Sequence, residues 1–94
     1  MKLFKSIDDR FREIGFIKVE EDKYGAEYER ENKKHGYTQT LYLGHKKSGK
    51  HIVQSYDKNL MDEKKIGNTC VGLTMYEMKL CLKKMKQMGW KMVR

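Results

Sequence analysis

The run Gly44-His45-Lys46-Lys47-Ser48-Gly49-Lys50-His51 comes nearest of any segment to a known chemical motif. Its first seven positions follow the phosphate-loop pattern G-x-x-x-x-G-K-[S/T]. In that pattern, amides at a helix start cradle phosphates and the last hydroxyl meets magnesium. His51 stands where the hydroxyl belongs, and the β-forming run Ile52-Val53-Gln54-Ser55-Tyr56 follows where a helix should open. No hydrophobic strand ending in an acidic residue offers a second magnesium ligand. The run therefore reads as a basic hairpin tip, whose three lysines and two flanking histidines suit a phosphate or a carboxylate.

Other reactive groups form no pattern. His35, His45, His51, Cys70 and Cys81 are the soft metal ligands, and neither Cys-x-x-Cys nor His-x-x-x-His occurs. His45 and His51 can meet across the hairpin, but a zinc site needs four ligands, or three and an open position. No metal site and no cofactor site is expected. A nucleophilic cysteine needs an activating base and an oxyanion site. Cys81 falls in an apolar helical stripe, and Cys70 lies in Asn68-Thr69-Cys70-Val71, a short extra strand or a loop anchor. The acidic runs Glu20-Glu21-Asp22 and Asp62-Glu63 read as solvated segments, not as a carboxylate pair with separated pKa values. A non-enzyme is the expectation.

The lysines are better organised. Lys79, Lys83 and Lys86 recur at spacings of four and three, with Lys84 beside them and Lys91 beyond. Together with Lys46, Lys47 and Lys50 of the tip, they are the residues expected to contact a partner, either nucleic acid or an acidic protein surface. No arginine occurs between Arg30 and Arg94, so base-specific DNA reading is disfavoured. Tyr24, Tyr28, Tyr37, Tyr42 and Tyr56 could form a stacking platform for single strands, but packing in the core and at the sheet edges accounts for them better, and the strands lack the aromatic pattern of an RNA-recognition sheet.

Elements to position these groups can be read from local rules. Ser6 and Asp9 form a capping box for a short helix carrying Ile7, Phe11 and Ile14, with Gly15 as its stop and Phe16 folding back on Phe11. Ile17–Val19, Tyr24–Tyr28, Tyr37–Leu43 and Ile52–Tyr56 alternate as strands. The intervening turns are short, so the strands form an antiparallel meander. Asp57 to Gly72 is the least regular stretch. Thr74 and Glu77 cap a C-terminal helix, with Leu73 and Met78 at staple positions. Its expected core stripe is Met78, Cys81, Leu82, Met85 and Met88; Tyr76 and Leu80 extend apolar surface beyond it. Gly89 stops this helix, and Trp90 can return to Met85. The expected fold is α+β in the order α-β-β-β-β-α: a four-stranded antiparallel meander with a short N-terminal and a longer C-terminal helix packed on the sheet.

Composition sets the outer bounds. The 94 residues are expected to form a single domain, 1–94. Two cysteines do not make a disulfide scaffold, and no apolar run reaches a membrane span or a signal peptide, which points to a cytoplasmic protein. Net charge is +8 and unevenly placed. Residues 1–36 carry nine basic and nine acidic side chains, whereas residues 37–94 carry twelve and four and hold the whole excess.

The segments Phe11-Arg12-Glu13-Ile14-Gly15-Phe16, Leu73-Thr74-Met75-Tyr76-Glu77 and Met88-Gly89-Trp90, spaced by short strands, resemble small uncharacterised proteins of Gram-positive phages and prophages. The resemblance covers most of the chain in layout and about a dozen residues in identity. It implies a cytoplasmic accessory protein without catalytic residues, acting by binding host or phage macromolecules, and it carries over no site residue. Two function classes follow: a basic binding module, or an interaction protein using an apolar surface or a homodimer. A small enzyme would need His45 or His51 to meet Cys70 or a carboxylate in a cleft.

Overall fold

The computed structural model describes residues 5–62 and 69–92. Its elements are α1 (Ile7–Glu13), β1 (Ile17–Asp22), β2 (Gly25–Asn32), β3 (Tyr37–Gly44), β4 (Ile52–Asp57), α2 (Lys58–Asp62) and α3 (Met75–Gln87). The strands pair antiparallel in the order β1-β2-β3-β4, the expected meander. The expected order of the two main helices around the sheet also holds.

Both of these helices begin and end by the local rules written in the sequence. Ser6 Oγ accepts from the Asp9 amide and the Asp9 carboxylate accepts from the Ser6 amide, at 3.0 and 3.1 Å. Thr74 and Glu77 do the same for α3, at 3.1 and 2.8 Å. At the other ends Gly15 and Gly89 take φ of 96° and 81°. The next amides, of Phe16 and Trp90, reach back to the carbonyls of Phe11 and Met85, at 2.9 and 3.1 Å. Each is a Schellman closure, which satisfies carbonyls the helix cannot. Phe16 folds onto Phe11 edge-to-face, with ring centroids 6.0 Å apart.

The strand register puts Ala26 and Tyr28 of β2 on the same face as Leu41 and Leu43 of β3. Helices α1 and α3 cover that face, and Phe11, Phe16, Leu80, Cys81 and Met85 complete the core. Helix α2, within the stretch expected to be least regular, lies over the opposite face, where Lys58 Nζ meets Glu29 at 2.8 Å. Cys70 bridges to Tyr56 at the β4 edge, so the short extra strand is one bridge long.

Strand β1 and helix α3 both turn charged side chains toward the core. In β1 the apolar Ile17 and Val19 are exposed, while Lys18 and Glu21 pair with Asp8 and Lys84 beneath the helices. A bulge between Lys18 and Glu20 makes this possible. The extra residue shifts the alternation, so that Lys18, opposite Tyr28, and Glu21, opposite Ala26, share the helix side. In α3, Cys81 and Met85 of the expected stripe are buried and Met88 packs against the core, but Met78 and Leu82 are exposed, and Glu77, Leu80 and Lys84 turn inward instead.

Two charged residues thus turn inward on α3, and each is compensated. Glu77 uses one carboxylate oxygen on its own cap and the other on Arg30, at 2.9 Å. Arg30 also donates to the Ile14 carbonyl at 3.1 Å and to Gln39 at 2.8 Å, and it lies 4.2 Å over the Phe16 ring. Lys84 Nζ meets Glu21 at 2.6 Å and Asp8 at 3.2 Å. Asp8 also accepts from Tyr28 Oη at 2.6 Å and from Lys18 at 3.0 Å. Burial acts to raise the Asp8 carboxyl, but the Tyr28 and Lys18 hydrogen bonds and the Lys84 charge outweigh it and hold it below its ordinary value. The Lys84 hydrogen bond holds Glu21 low as well.

Lys84→Met should destabilise the domain by about 2 kcal/mol near neutral pH, because it leaves two carboxylates facing an apolar neighbour while they keep partial contact with water. The sign with pH follows from linkage. Carboxyls held low in the fold stabilise it in full above their ordinary values of 3.8 and 4.5, and that contribution fades as pH falls through the lower folded values. Urea titrations of the two proteins should therefore show a gap that narrows in acid. Gly89→Ala should cost about 1 kcal/mol from left-handed strain alone, since nothing lies within 4 Å of its added Cβ. Gly15→Ala should cost more, because its Cβ also meets the Arg30 side chain at 3.1 Å. Gly72→Ala, with open space and no positive φ, should change stability by less than about 0.5 kcal/mol in the same titrations.

Candidate functional site

The β3–β4 connection, residues 45–51, projects at the end of the sheet where α3 also stops. Gly49 takes φ of 82°, which lets the tip turn, and its amide donates to the Lys46 carbonyl at 2.9 Å. Strand, not helix, follows the tip, so its amides do not converge as in a phosphate loop. The tip is the basic hairpin the sequence led us to expect.

His51 fixes this tip to the rest of the molecule. Its Nδ1 accepts from the Lys46 amide at 3.1 Å, which places the ring proton on Nε2. Nε2 then donates to the Lys91 carbonyl at 3.0 Å, just past α3. His45 and His51 meet across the hairpin, with ring centroids 4.6 Å apart. Trp90 packs against both, at 5.2 and 5.1 Å. The Schellman closure at Gly89 aims Trp90 here, so the cap of α3 also anchors the hairpin.

Trp90, His51 and Gly49 are shared by two adjoining concavities. One, of about 350 Å³, takes Lys46, Lys47 and Lys91 into its wall. The other, of about 570 Å³, runs beside α3, with Leu82, Met85, Trp90 and Met92 as apolar lining and Lys79, Lys83 and Lys86 among them. No acidic side chain lines either. Six of the eight lysines expected to contact a partner are thus gathered around one tryptophan. Among the described residues none of these six has a carboxylate partner, whereas Lys5, Arg12, Lys18, Arg30, Lys58 and Lys84 all do.

The other two expected contacts fall elsewhere. Lys50 sits exposed on the tip but lines neither concavity. Lys84 must be removed from the contact surface: it is 3% exposed and ion-paired inside the domain, because its position on α3 faces β1 rather than solvent. Conversely, Leu82, Trp90 and Met92 emerge as lining of the larger concavity, and His51 as its anchor. The apolar surplus expected at Tyr76 and Leu80 pointed elsewhere: Leu80 is buried in the core, and Tyr76, though exposed, lines neither concavity.

The remaining reactive groups stay apart. Cys81 is fully buried; burial, helped by the Glu77 charge, pushes its thiol up to about 12, which makes it a packing group. Among the described residues no group of three or more His, Cys, Asp or Glu is placed to hold a metal ion. Tyr24 and Tyr42 line a third concavity with Glu20, Asp22 and Glu27, so the most exposed tyrosine, Tyr24, stands among carboxylates rather than lysines. No described helix is long and apolar enough to cross a membrane.

Nitrogen-15 NMR should find the Nε2–H tautomer in the neutral His51 ring, as its acceptor role toward the Lys46 amide requires. In a His51→Phe variant the Lys46 amide, deprived of its acceptor, should exchange with solvent at least about tenfold faster, while the β2–β3 amides stay protected. Compared with protein-family models, curated proteins and solved structures, the chain matches none.

Proposed function

We propose that this protein is a non-enzymatic binding module that holds an anionic macromolecule, a nucleic acid or an acidic protein surface, on the basic face around Trp90. The gathering of Lys46, Lys47, Lys79, Lys83, Lys86 and Lys91 at two adjoining concavities without a single acidic lining residue carries this reading. Lysines on a merely solvated surface would be interspersed with carboxylates, as they are on α1 and β1. Positive side chains held together repel one another, and an anionic partner relieves that repulsion. The hairpin tip is tied to the end of α3 through His51 and Trp90, so the backbone that carries these lysines is held together.

Short single- and double-stranded oligonucleotides and polyglutamate, titrated at two salt concentrations, test the proposal. Binding should appear at low salt and weaken steeply as salt is added. Joint replacement of Lys79, Lys83 and Lys86 by Gln should weaken it by about tenfold or more and flatten the salt dependence, since three charges leave the contact. Replacing Lys33 and Lys34 by Gln, at the opposite end of β3, should change it much less. Equal losses in both variants would mean that net charge alone attracts the probes, and absence of binding to all three probes at low salt would overturn the proposal.

A further inference from the structure

The larger concavity has a chemistry that charge alone does not require. Beside the three lysines it exposes aliphatic and sulfur-bearing surface: Leu82 is 51% and Met92 86% exposed. Leaving such groups in water costs free energy that a partner's apolar side chains would recover. Phosphodiester backbones have nothing to place there. Nor is the site well made for bases. The Trp90 ring is engaged by two histidines, no arginine is present, and the exposed Tyr24 lies with Glu20 and Asp22. The exposed Met92 suits a partner whose contacting side chains vary in shape, because a thioether chain adapts its rotamers.

The lysine spacing adds a geometric term. Lys79, Lys83 and Lys86 follow one another at about one per helical turn along roughly 10 Å of α3. A second helix laid alongside would offer carboxylates with the same period from its own i, i+4 and i+7 positions, and apolar side chains from the adjoining stripe. On these grounds we infer that the groove formed by Leu82, Met85, Trp90 and Met92 docks an acidic amphipathic helix of another protein, with its carboxylates on Lys79, Lys83 and Lys86. This rests on the basic-face reading above and narrows it to one class of partner.

The test uses the whole chain and its single tryptophan, Trp90, as reporter. The probe is a tryptophan-free synthetic helix of about 14 residues with a leucine stripe in a glutamate background. Controls are the same peptide with serine in place of leucine and a single-stranded oligonucleotide. The leucine peptide should bind at least about tenfold more tightly than the serine peptide, the scale of burying even one leucine side chain, and should shift Trp90 emission to the blue. Leu82→Ser, at an exposed position, should leave the circular dichroism unchanged and remove most of that preference.

Equal affinity for the two peptides would overturn the inference and leave the basic-face reading standing. So would oligonucleotide binding that exceeds both and is indifferent to Leu82→Ser. A Trp90 shift driven by protein concentration alone, with dimer seen in sedimentation, would assign the groove to a second copy of the chain and overturn the inference. Failure of all three probes at low salt would overturn both readings.

Discussion

An ammonium group withdrawn from water must be met by negative charge, and in this domain one such requirement settles how the longest helix is turned. Lys84 points into the interface between α3 and the sheet and is received by Glu21 of β1 and Asp8 of α1. Two consecutive elements at the start of the chain and the helix near its end converge on one nitrogen. Seven positions earlier on the same helix, Glu77 makes the reverse arrangement with Arg30. The two contacts act as pegs at either end of a small apolar core of Phe11, Tyr28, Leu41, Leu80 and Cys81. Ion pairs of this kind add little net stability compared with an apolar core of equal volume, but breaking one is costly. They therefore select one rotation of α3 over its neighbours, each of which would strand a charge.

The surface follows from that selection. With Glu77 and Lys84 inside, Leu82 cannot also be inside, and it emerges between Lys79, Lys83 and Lys86. The spacing of apolar residues along α3, taken alone, favours the rotation that buries Met78 and Leu82; the buried charges override it. An apolar side chain is thus exposed at the centre of a basic face, where it has no packing role in the isolated domain. Acidic side chains, meanwhile, are concentrated in pairs on α1, β1 and β2, and that is why the uneven charge along the sequence becomes an uneven charge in space.

Legibility divides along the same line. Capping boxes, glycine stops and hairpins depend on residues within a few positions of each other, so Ser6–Asp9, Ile14-Gly15-Phe16, Thr74–Glu77 and Gly89-Trp90 could be read directly, and with them the order of elements. The tip lysines and the α3 lysines were legible as candidates from spacing and charge. What was hidden depends on long-range partners. Asp8 and Lys84 are 76 residues apart, and nothing near Lys84 announces a carboxylate. The β1 bulge that presents Glu21 leaves no glycine or proline as a mark. Helix α2 is a five-residue turn in a stretch of weak periodicity. The meeting of His51 with Trp90 needed both the strand register and the direction of the α3 cap.

The bond from His51 to the Lys91 carbonyl joins positions 40 residues apart. It closes β4, α2 and α3 into a circuit whose two ends are the hairpin tip and the residue after the tryptophan. A loop tethered at both ends has already surrendered the freedom that a dangling loop gives up on meeting a guest. The backbone that carries the tip is therefore held against the end of α3 in one arrangement, whether or not anything lies on this face.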